Sequence, residues 1–251
     1  MKCAIVGYGH VGKAMAKLFT DAVVYDEPLK IGSRAQVNAC EACFVCVPSP
    51  QAPDGSCNTE IVENVLEWIE SDVIIIRSTV PVGFTKRMVQ KLKKKIVFQP
   101  EYYGETVSHP FADLRNQNWL SFGGQQEAID LAVCAYQQVI NSNVKINMAD
   151  SDAVELAKYM ENAFLALKVT FCNEMYDLAE RLGVNYNVAR EIWISDPRIG
   201  SSHTFVYPHA RGFGGHCLPK DLSAILVQAE NVGADMKLLR SVQEKNEHYK
   251  G

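Results

Sequence analysis

Cys3-Ala-Ile-Val-Gly-Tyr-Gly-His-Val-Gly12 is the stretch that decides the fold of this chain. Its first four residues are apolar and predict a buried strand, and a G-x-G-x-x-G loop follows at once. Apolar residues then recur at helical spacing, and a second strand ends at Asp26, about 20 residues after Gly7. This order of strand, glycine turn, helix, strand and acidic residue predicts a dinucleotide-binding unit.

Each part of this unit has a physical role in binding a dinucleotide. Gly7 allows the tight turn, Gly9 lets the backbone approach the pyrophosphate, and Gly12 lets helix and strand pack closely. Asp26 is expected to bind the ribose 2′-hydroxyl and to repel a 2′-phosphate, which favours NAD over NADP. The predicted cofactor residues of this unit are Gly7, Tyr8, Gly9, His10, Val11, Gly12 and Asp26.

Strands and helices alternate through the first 147 residues, which predicts a doubly wound parallel (Rossmann) sheet. Residues 27–41 are too few for a full crossover helix and a strand, so we expect this part of the sheet to be pared down. Further strands are predicted at 44–47, 72–77, 95–98, 120–123 and 144–146, and helices at 59–71, 84–93 and 127–140.

From residue 148 to 251 no strand-like run reappears, and an all-α domain is predicted. Residues 151–183 read as one long helix with apolar residues at helical spacing, so we expect it to be largely buried as a domain spine or a dimer interface. Shorter helices are predicted at 187–193, at 221–229 and from 234. Lys158 and Asn162 share one helix face, and by themselves they fit a solvated surface pair.

The run Gly212-Phe-Gly-Gly-His-Cys-Leu-Pro-Lys-Asp221 carries the candidate chemistry. A helix starting near Pro219 would direct its N–H groups and dipole toward Cys217 and lower the pKa of that thiol. The alternative is a glycine-rich connector with a buried, inert cysteine.

Composition excludes several classes of protein. The net charge of −4 provides no basic field for nucleic acid, and no apolar run approaches the roughly 20 residues that span a bilayer. No signal peptide precedes the first strand, so the eight cysteines favour a reduced, cytoplasmic protein over a disulfide scaffold. Cys40, Cys43 and Cys46 lack the fourth ligand of an iron–sulfur run, and we expect no metal site.

Taken together, the motifs resemble those of the UDP-glucose/GDP-mannose dehydrogenase family. The resemblance rests on ordered motifs: the glycine loop, Cys46-Val-Pro-Ser49-Pro50, Ser78-Thr79-Val-Pro-Val-Gly83, Pro100-Glu101-Tyr-Tyr-Gly-Glu105, Glu155-Leu-Ala-Lys158-Tyr-Met-Glu-Asn162 and the Gly212–Asp221 loop. The last of these matches the active-cysteine loop of the family almost residue for residue.

The resemblance implies an NAD-dependent sugar-nucleotide 6-dehydrogenase, an activity that serves polysaccharide biosynthesis. Cys217 is implied as the nucleophile, Lys158 and Asn162 as oxyanion partners, and Glu101 as acid/base. Asp221 is implied to handle protons with Thr79 through a water. Further cofactor residues implied are Val47, Ser49, Ser78, Thr79, Glu105 and Lys220. The implied substrate residues are Glu101, Tyr102, Tyr103, Glu105, Lys158, Asn162, Arg198, Tyr207, Gly212, Phe213 and Gly214. A homodimer through the long helix is also implied.

Two departures from the family pattern leave other functions open. The stretch between Asp26 and Phe44 is shorter than in the family, and the sequence stops where the family continues into a third, nucleotide-binding domain. A dehydrogenase of the same lineage for a smaller alcohol, or a non-catalytic NAD-binding protein, therefore remains as an alternative.

Overall fold

The structure is a computed structural model that describes residues 1–103, 111 and 113–250. It divides into two compact units. The first contains Met1–Pro50 and Cys57–Lys158, and the second contains Gln51–Ser56 and Tyr159–Gly251. This division falls inside the long helix, and the predicted domain boundary after residue 147 stays a prediction.

Within the described residues, the first unit contains one sheet of seven strands in the order β2-β1-β3-β4-β5-β6-β7. The strands are β1 (Cys3–Val6), β2 (Val23–Tyr25), β3 (Ala42–Val45), β4 (Val73–Ile76), β5 (Ile96–Phe98), β6 (Trp119–Gly123) and β7 (Lys145–Ala149). The helices are α1 (His10–Leu18), α2 (Arg34–Asn38), α3 (Glu60–Trp68), α4 (Phe84–Leu92) and α5 (Gln126–Tyr136). The predicted fold class is confirmed.

The direction of the last two strands differs from the prediction. Strands β1 to β5 are parallel, but β6 pairs antiparallel with β5 through Phe98 and Gly123. Strand β7 then runs parallel to β6. In the described part of residues 99–118 the only helix is the 3₁₀ turn Leu114–Asn116, and an antiparallel pair needs no crossover helix.

The expectation of a pared-down sheet is confirmed at its first edge. Strand β2 is the edge strand, and only the five-residue helix α2 lies between it and β3. Strand β3 then pairs with the other side of β1. The common doubly wound order places one more strand beyond β2, and the short segment cannot supply it.

Helices cover both faces of the sheet, which explains why its central strands are apolar throughout. Ile5, Phe44 and Ile75 pack with α1 and α5 on one face. Val6, Val45 and Ile76 pack with α3 and α4 on the other. The central strands are therefore buried on both sides.

The cysteine cluster Cys40, Cys43 and Cys46 lies in these two cores. Burial raises the pKa of Cys43 and raises that of Cys46 to about 12, so both remain thiols. None of the eight cysteines, all of which lie in the described residues, forms a disulfide. Over that same part of the chain, no group of three or more His, Cys, Asp or Glu side chains is placed to hold a metal ion.

The second unit is helical, with most of α6 (Ser151–Leu182), then α7 (Tyr186–Trp193), α8 (Cys217–Asn231) and α9 (Lys237–Lys250). Ala163, Ala166 and Phe213 lie in a core with residues of α8 and α9. No helix in the described part of the chain is both long and apolar enough to cross a membrane.

The expectation that α6 is largely buried is wrong for the single chain. Tyr159 and Ala163 are buried, but Met160 is 63% exposed and Leu156 and Met175 are also exposed. One face of α6 packs against its own chain, and the opposite face is largely exposed, although Phe171 also contacts Trp193 of α7. Exposed apolar residues therefore form a stripe along the helix: Leu156, Met160, Phe164, Phe171, Met175, Leu178 and Leu182.

A buried carboxylate from α6 caps α4 within the first unit. Glu155 accepts hydrogen bonds from the backbone N–H groups of Gly83 at 2.7 Å and of Thr85 at 2.9 Å. Its side chain thus satisfies donors that the first turn of a helix leaves unpaired. Burial raises the pKa of Glu155 to about 7, although these hydrogen bonds oppose the rise.

This raised pKa predicts a pH-dependent stability. A carboxyl with a folded pKa above its unfolded value stabilises the fold below the unfolded pKa, and that contribution is lost as pH rises through the folded pKa. Between pH ~4.5 and ~7, wild type should therefore lose roughly 2–3 kcal/mol of unfolding free energy relative to Glu155→Gln. Urea unfolding across this pH range measures the difference. Glu180→Gln, an exposed change on the same helix, should follow wild type. A parallel profile for Glu155→Gln would contradict the prediction.

Candidate active site

The glycine loop joins β1 to α1 in the first unit. Gly7 has φ of 94°, and a Cβ there would lie 2.7 Å from the carbonyl oxygen of Cys46. A Cβ at Gly12 would overlap the carbonyl oxygen of Gly7. A Cβ at Gly9, the N-cap of α1, would meet nothing within 4 Å. Two glycines thus permit the packing, and the third leaves open space at a helix N-terminus, which fits a pyrophosphate.

Asp26 has a structural role that the sequence did not indicate. Its carboxylate accepts from the backbone N–H of Tyr8 at 2.7 Å and from that of Leu29 at 2.9 Å. The first of these bonds ties the end of β2 to the glycine loop. An ionised carboxylate has about four acceptor sites, so the predicted bond to a ribose hydroxyl is compatible with both contacts and stays a prediction.

Two further motifs with predicted cofactor residues, Cys46–Pro50 and Ser78–Gly83, follow β3 and β4, which are neighbours in the sheet. The hydroxyl of Ser78 donates to the carbonyl oxygen of Val47 at 2.6 Å, and Ser49 and Ser78 are both buried. The carbonyl oxygen of Thr79 accepts from the Cys57 thiol at 3.5 Å. These loops meet at the carboxyl ends of the strands, the edge where such sheets bind ligands.

Glu101 follows β5 and is held by three donors of the first unit. Its carboxylate pairs with the guanidinium of Arg77 and accepts from the backbone N–H of Tyr103. Its carbonyl oxygen accepts from the ammonium of Lys158. The predicted acid/base Glu101 and the predicted oxyanion partner Lys158 are thus adjacent.

Sequence reasoning missed the residues that support Glu101. Arg77 is buried and donates to the side-chain oxygens of Gln99 and Tyr136. Burial disfavours its charge, but the carboxylate of Glu101 and the phenol of Tyr136 raise the pKa of Arg77 above its ordinary value. An arginine directly after the apolar strand β4 is the signal that could have identified this cluster, since buried charges need partners.

The alternative of a solvated Lys158–Asn162 pair, which the two residues allowed by themselves, is excluded by their burial. Lys158 is 8% exposed and its ammonium lies 4.7 Å from the centre of the Tyr102 ring. Asn162 is 5% exposed. Neither side chain lies on the solvent-exposed face of α6, and both have partners inside the protein.

Asn162 belongs to a polar cluster in the second unit. Its amide donates to one carboxylate oxygen of Asp221 at 2.6 Å, and the ammonium of Lys220 lies 2.6 Å from the other. Asp221 is 1% exposed, so its charge is balanced inside the protein by these two groups. Lys220, a predicted cofactor residue, thus contacts a predicted catalytic residue.

Cys217 is exposed and is the first residue of α8. The helix therefore starts two residues before Pro219, earlier than predicted. Proline is tolerated there because the N–H groups of the first turn have no partner within the helix. The connector with a buried cysteine is excluded by the exposure of Cys217, and Asp221 lies one turn further along α8.

The predicted substrate residues fall into different environments. Arg198 is exposed, and its guanidinium donates to the carboxylate of Asp196. Tyr207 is also exposed. The side chain of Phe213 is buried in the core of the second unit, whereas Gly214 is exposed. Glu105 lies outside the described residues.

Two sequence models of one family match the chain. The NAD-binding domain of the UDP-glucose/GDP-mannose dehydrogenase family matches residues 20–140, and its central domain matches residues 152–248. The glycine loop lies ahead of the first match, so its assignment rests on the geometry above.

Curated relatives agree with these matches. UDP-glucose 6-dehydrogenase of Rickettsia typhi is 31% identical over 217 residues, which cover 82% of this chain and 49% of the relative. The enzyme of the same name from Rickettsia bellii is 30% identical over 244 residues, which cover 92% of this chain and 55% of the relative. The chain spans about half the length of these relatives.

Solved structures share the fold. A UDP-glucose dehydrogenase from Pyrobaculum islandicum has a TM-score of 0.84 and 26% identity, covering 98% of this chain and 68% of its own. A UDP-D-ManNAc dehydrogenase from Pyrococcus horikoshii has a TM-score of 0.82 at 23% identity. The second likeness concerns the fold alone.

The contrast between Gly9 and Gly12 predicts separable effects on stability and binding. Gly12→Ala should lower the unfolding free energy by at least about 2 kcal/mol, because its methyl group would overlap the Gly7 carbonyl. Gly9→Ala should keep the melting temperature within a few degrees but weaken NAD binding about tenfold or more, since its methyl group enters the space assigned to the pyrophosphate. Calorimetric titration and thermal unfolding test the pair. Unchanged NAD binding in a folded Gly9→Ala variant would contradict the assignment.

Proposed function

The chain belongs to the UDP-glucose/GDP-mannose dehydrogenase family, and on that premise we propose that it oxidises the primary alcohol of a UDP-glucose-like sugar nucleotide to the uronic acid. The observation that carries this proposal is the buried Asn162–Asp221–Lys220 cluster, which begins one helical turn from the exposed Cys217 thiol. An exposed thiol at a helix N-terminus, close to buried and paired charges, is a pattern of active sites rather than of a packed core.

The glycine loop would hold NAD⁺, which would supply a hydride acceptor for each of two oxidations. The balance is one alcohol, two NAD⁺ and one water giving one carboxylic acid, two NADH and two protons. Between the oxidations, the Cys217 sulfur adds to the aldehyde carbon and forms a thiohemiacetal. The second oxidation converts this adduct to a thioester, and water then breaks the carbon–sulfur bond and restores the thiol.

The other residues stabilise charge and move protons. The helix N-terminus at Cys217 favours the thiolate form of the nucleophile. The ammonium of Lys158 and the amide of Asn162 donate to the oxyanion of each tetrahedral adduct, and such a donor contributes about 3 kcal/mol. Asp221 takes the alcohol proton together with Thr79 through a water, and Glu101 activates the water that attacks the thioester.

Replacement of the nucleophile tests this mechanism. Cys217→Ser should lower acid formation from UDP-glucose at least about a thousandfold, because serine is a poor nucleophile without an activating base. NADH absorbance and acid release, measured against a panel of UDP- and GDP-sugars and sugar phosphates, give the readout. Cys134→Ser, which replaces the exposed cysteine of α5, is the matched control and should retain wild-type activity.

The same panel separates the alternatives. Acid formation only from a sugar phosphate would favour a smaller, non-nucleotide substrate. Tight NAD binding without NADH formation from any alcohol would indicate a non-catalytic protein. Either result would refute the assignment to sugar nucleotides.

We also propose that the chain forms a homodimer through the apolar stripe of α6, in a reducing, cytoplasmic compartment. Seven large apolar side chains are exposed along one helix face, and a contiguous exposed apolar patch marks an interaction surface. A second copy offers an identical stripe, and an isologous contact would cover both.

A charge placed in the stripe tests the dimer. Met160→Glu combined with Phe164→Glu should shift the protein from dimer to monomer, because each carboxylate would lose hydration in the interface. Light scattering at about 10 µM measures the mass. Glu180→Lys, an exposed charge change elsewhere on α6, should leave the dimer intact. A monomeric wild type would refute the proposal.

A further inference from the structure

A buried asparagine of the last helix binds the backbone of the cysteine loop. Asn246 lies on α9 and is 5% exposed. Its Oδ1 accepts from the backbone N–H of Phe213 at 2.7 Å, and its Nδ2 donates to the carbonyl oxygen of Phe213 at 3.0 Å. One side chain therefore satisfies both backbone groups of a single loop residue, four positions before Cys217.

This contact explains the first glycine of the loop. Gly212 has φ of 74°, and a Cβ there would lie 2.5 Å from Oδ1 of Asn246. By contrast, a Cβ at Gly215 would meet nothing within 4 Å. Gly212 is thus required by the approach of α9, whereas Gly215 borders open space. The loop has an anchored half and an open half.

A second set of contacts fixes the start of the anchored half. The guanidinium of Arg211 lies between the rings of Tyr176 and Tyr249, at 4.9 and 4.8 Å from their centres. It donates to Oδ1 of Asn173 at 2.5 Å and to Asp177 at 2.7 Å. These contacts hold residue 211 against α6 and α9, and Asn246 continues the anchoring at residue 213.

We propose that Asn246 is a positioning residue that fixes the Phe213 backbone and thereby sets the conformation in which Gly214 and Cys217 meet the sugar nucleotide. The proposal deepens the proposed function and rests on it. Only a side chain with one donor and one acceptor at this distance can bind both groups of Phe213. Alanine binds neither of them, and an ionised aspartate only accepts.

The isosteric change Asn246→Asp gives a test whose effect can be reversed within one variant by lowering the pH. At neutral pH the introduced carboxylate can accept from the Phe213 N–H but faces the Phe213 carbonyl oxygen without a proton to donate. A protonated carboxyl has one donor and one acceptor and restores the asparagine pattern. We call the two hydrogen bonds between the side chain at position 246 and the Phe213 backbone the clamp. Lowering the pH should therefore restore the clamp in this variant, with no comparable change in wild type.

Asp177 and Tyr249, which lie beside the clamp, keep their charge states in the range needed for this test. Arg211 and Tyr249 hold the pKa of Asp177 below its ordinary value, against the opposing effect of burial. Burial and Asp177 raise the pKa of Tyr249 to about 12. Burial and the facing Phe213 carbonyl oxygen should raise the pKa of the introduced carboxyl from its ordinary value of ~3.9 into the range from pH ~4.5 to ~7. Every other group that titrates in this range is also present in wild type, whose pH profile is the control.

Hydrogen exchange of the Phe213 amide, in protein labelled with ¹⁵N-phenylalanine, reads the clamp directly. At pH ~7, Asn246→Ala and Asn246→Asp should exchange this amide at least about tenfold faster than wild type. Alanine provides no acceptor, and in the aspartate variant the Phe213 carbonyl oxygen repels the carboxylate and displaces it from the Phe213 N–H. Protection relative to wild type should return in Asn246→Asp, but not in Asn246→Ala, as the pH falls to ~4.5. Tyr249→Phe is the control: it lies on the same helix as Asn246 and removes only a hydrogen bond to Asp177 of α6, so it should match wild type.

Kinetics separate positioning from simple stabilisation. At pH ~7, KM for the sugar nucleotide should rise about tenfold in Asn246→Asp, with KM for NAD unchanged and kcat changed less. Unchanged protection of Phe213 in a folded variant, or lost protection with unaltered KM, would overturn the proposal. An inactive wild type would refute the proposed function instead, and the exchange data would still decide whether Asn246 holds the loop. Should Asn246→Asp fail to fold, Gly212→Ala tests the same contact and should also accelerate Phe213 exchange.

Discussion

The first unit depends on a backbone contact that leaves no room for a side chain. The carbonyl oxygen of Gly7 occupies the space into which a Cβ at residue 12 would project, and a Cβ at Gly7 would press on the carbonyl of Cys46. Because α1 can approach the ends of β1 and β3 this closely, the glycine loop lies at the carboxyl edge of the sheet. The loops after β3 and β4 open at the same edge, so every predicted cofactor loop of this unit is collected there.

A second constraint is that charges buried near the candidate site must be balanced within their own unit. Arg77 and Glu101 pair in the first unit, and Gln99 and Tyr136 accept further hydrogen bonds from the Arg77 guanidinium. Asp221 is held between Asn162 and Lys220 in the second. Removing one partner of such a pair leaves an uncompensated charge, which costs more than the loss of an exposed ion pair. The same pairing also holds the candidate catalytic side chains in defined positions.

The cysteine loop of the second unit, residues 211–217, is also held by specific side-chain contacts. A glycine-rich segment has many backbone conformations, and ordering it is entropically costly. Here the cost is offset by side chains from two helices, with Arg211 bound to Asn173 and Asp177 and with Asn246 bound to Phe213. The open glycines then lie between an anchored segment and the first turn of α8. The loop is accordingly defined at both ends while its middle remains accessible.

The sequence by itself determined the doubly wound fold, the dinucleotide loop, the long helix and the cysteine motif. These depend on short-range patterns: apolar runs for buried strands, glycine spacing for a tight turn, and helical periodicity. It could not determine the reversal of β6 and β7, the exposed face of α6, or the burial of Lys158 and Asn162. Nor did it indicate the partners Arg77 and Asn246. Each of these depends on which distant residues share a surface, and only the tertiary structure brings such residues together.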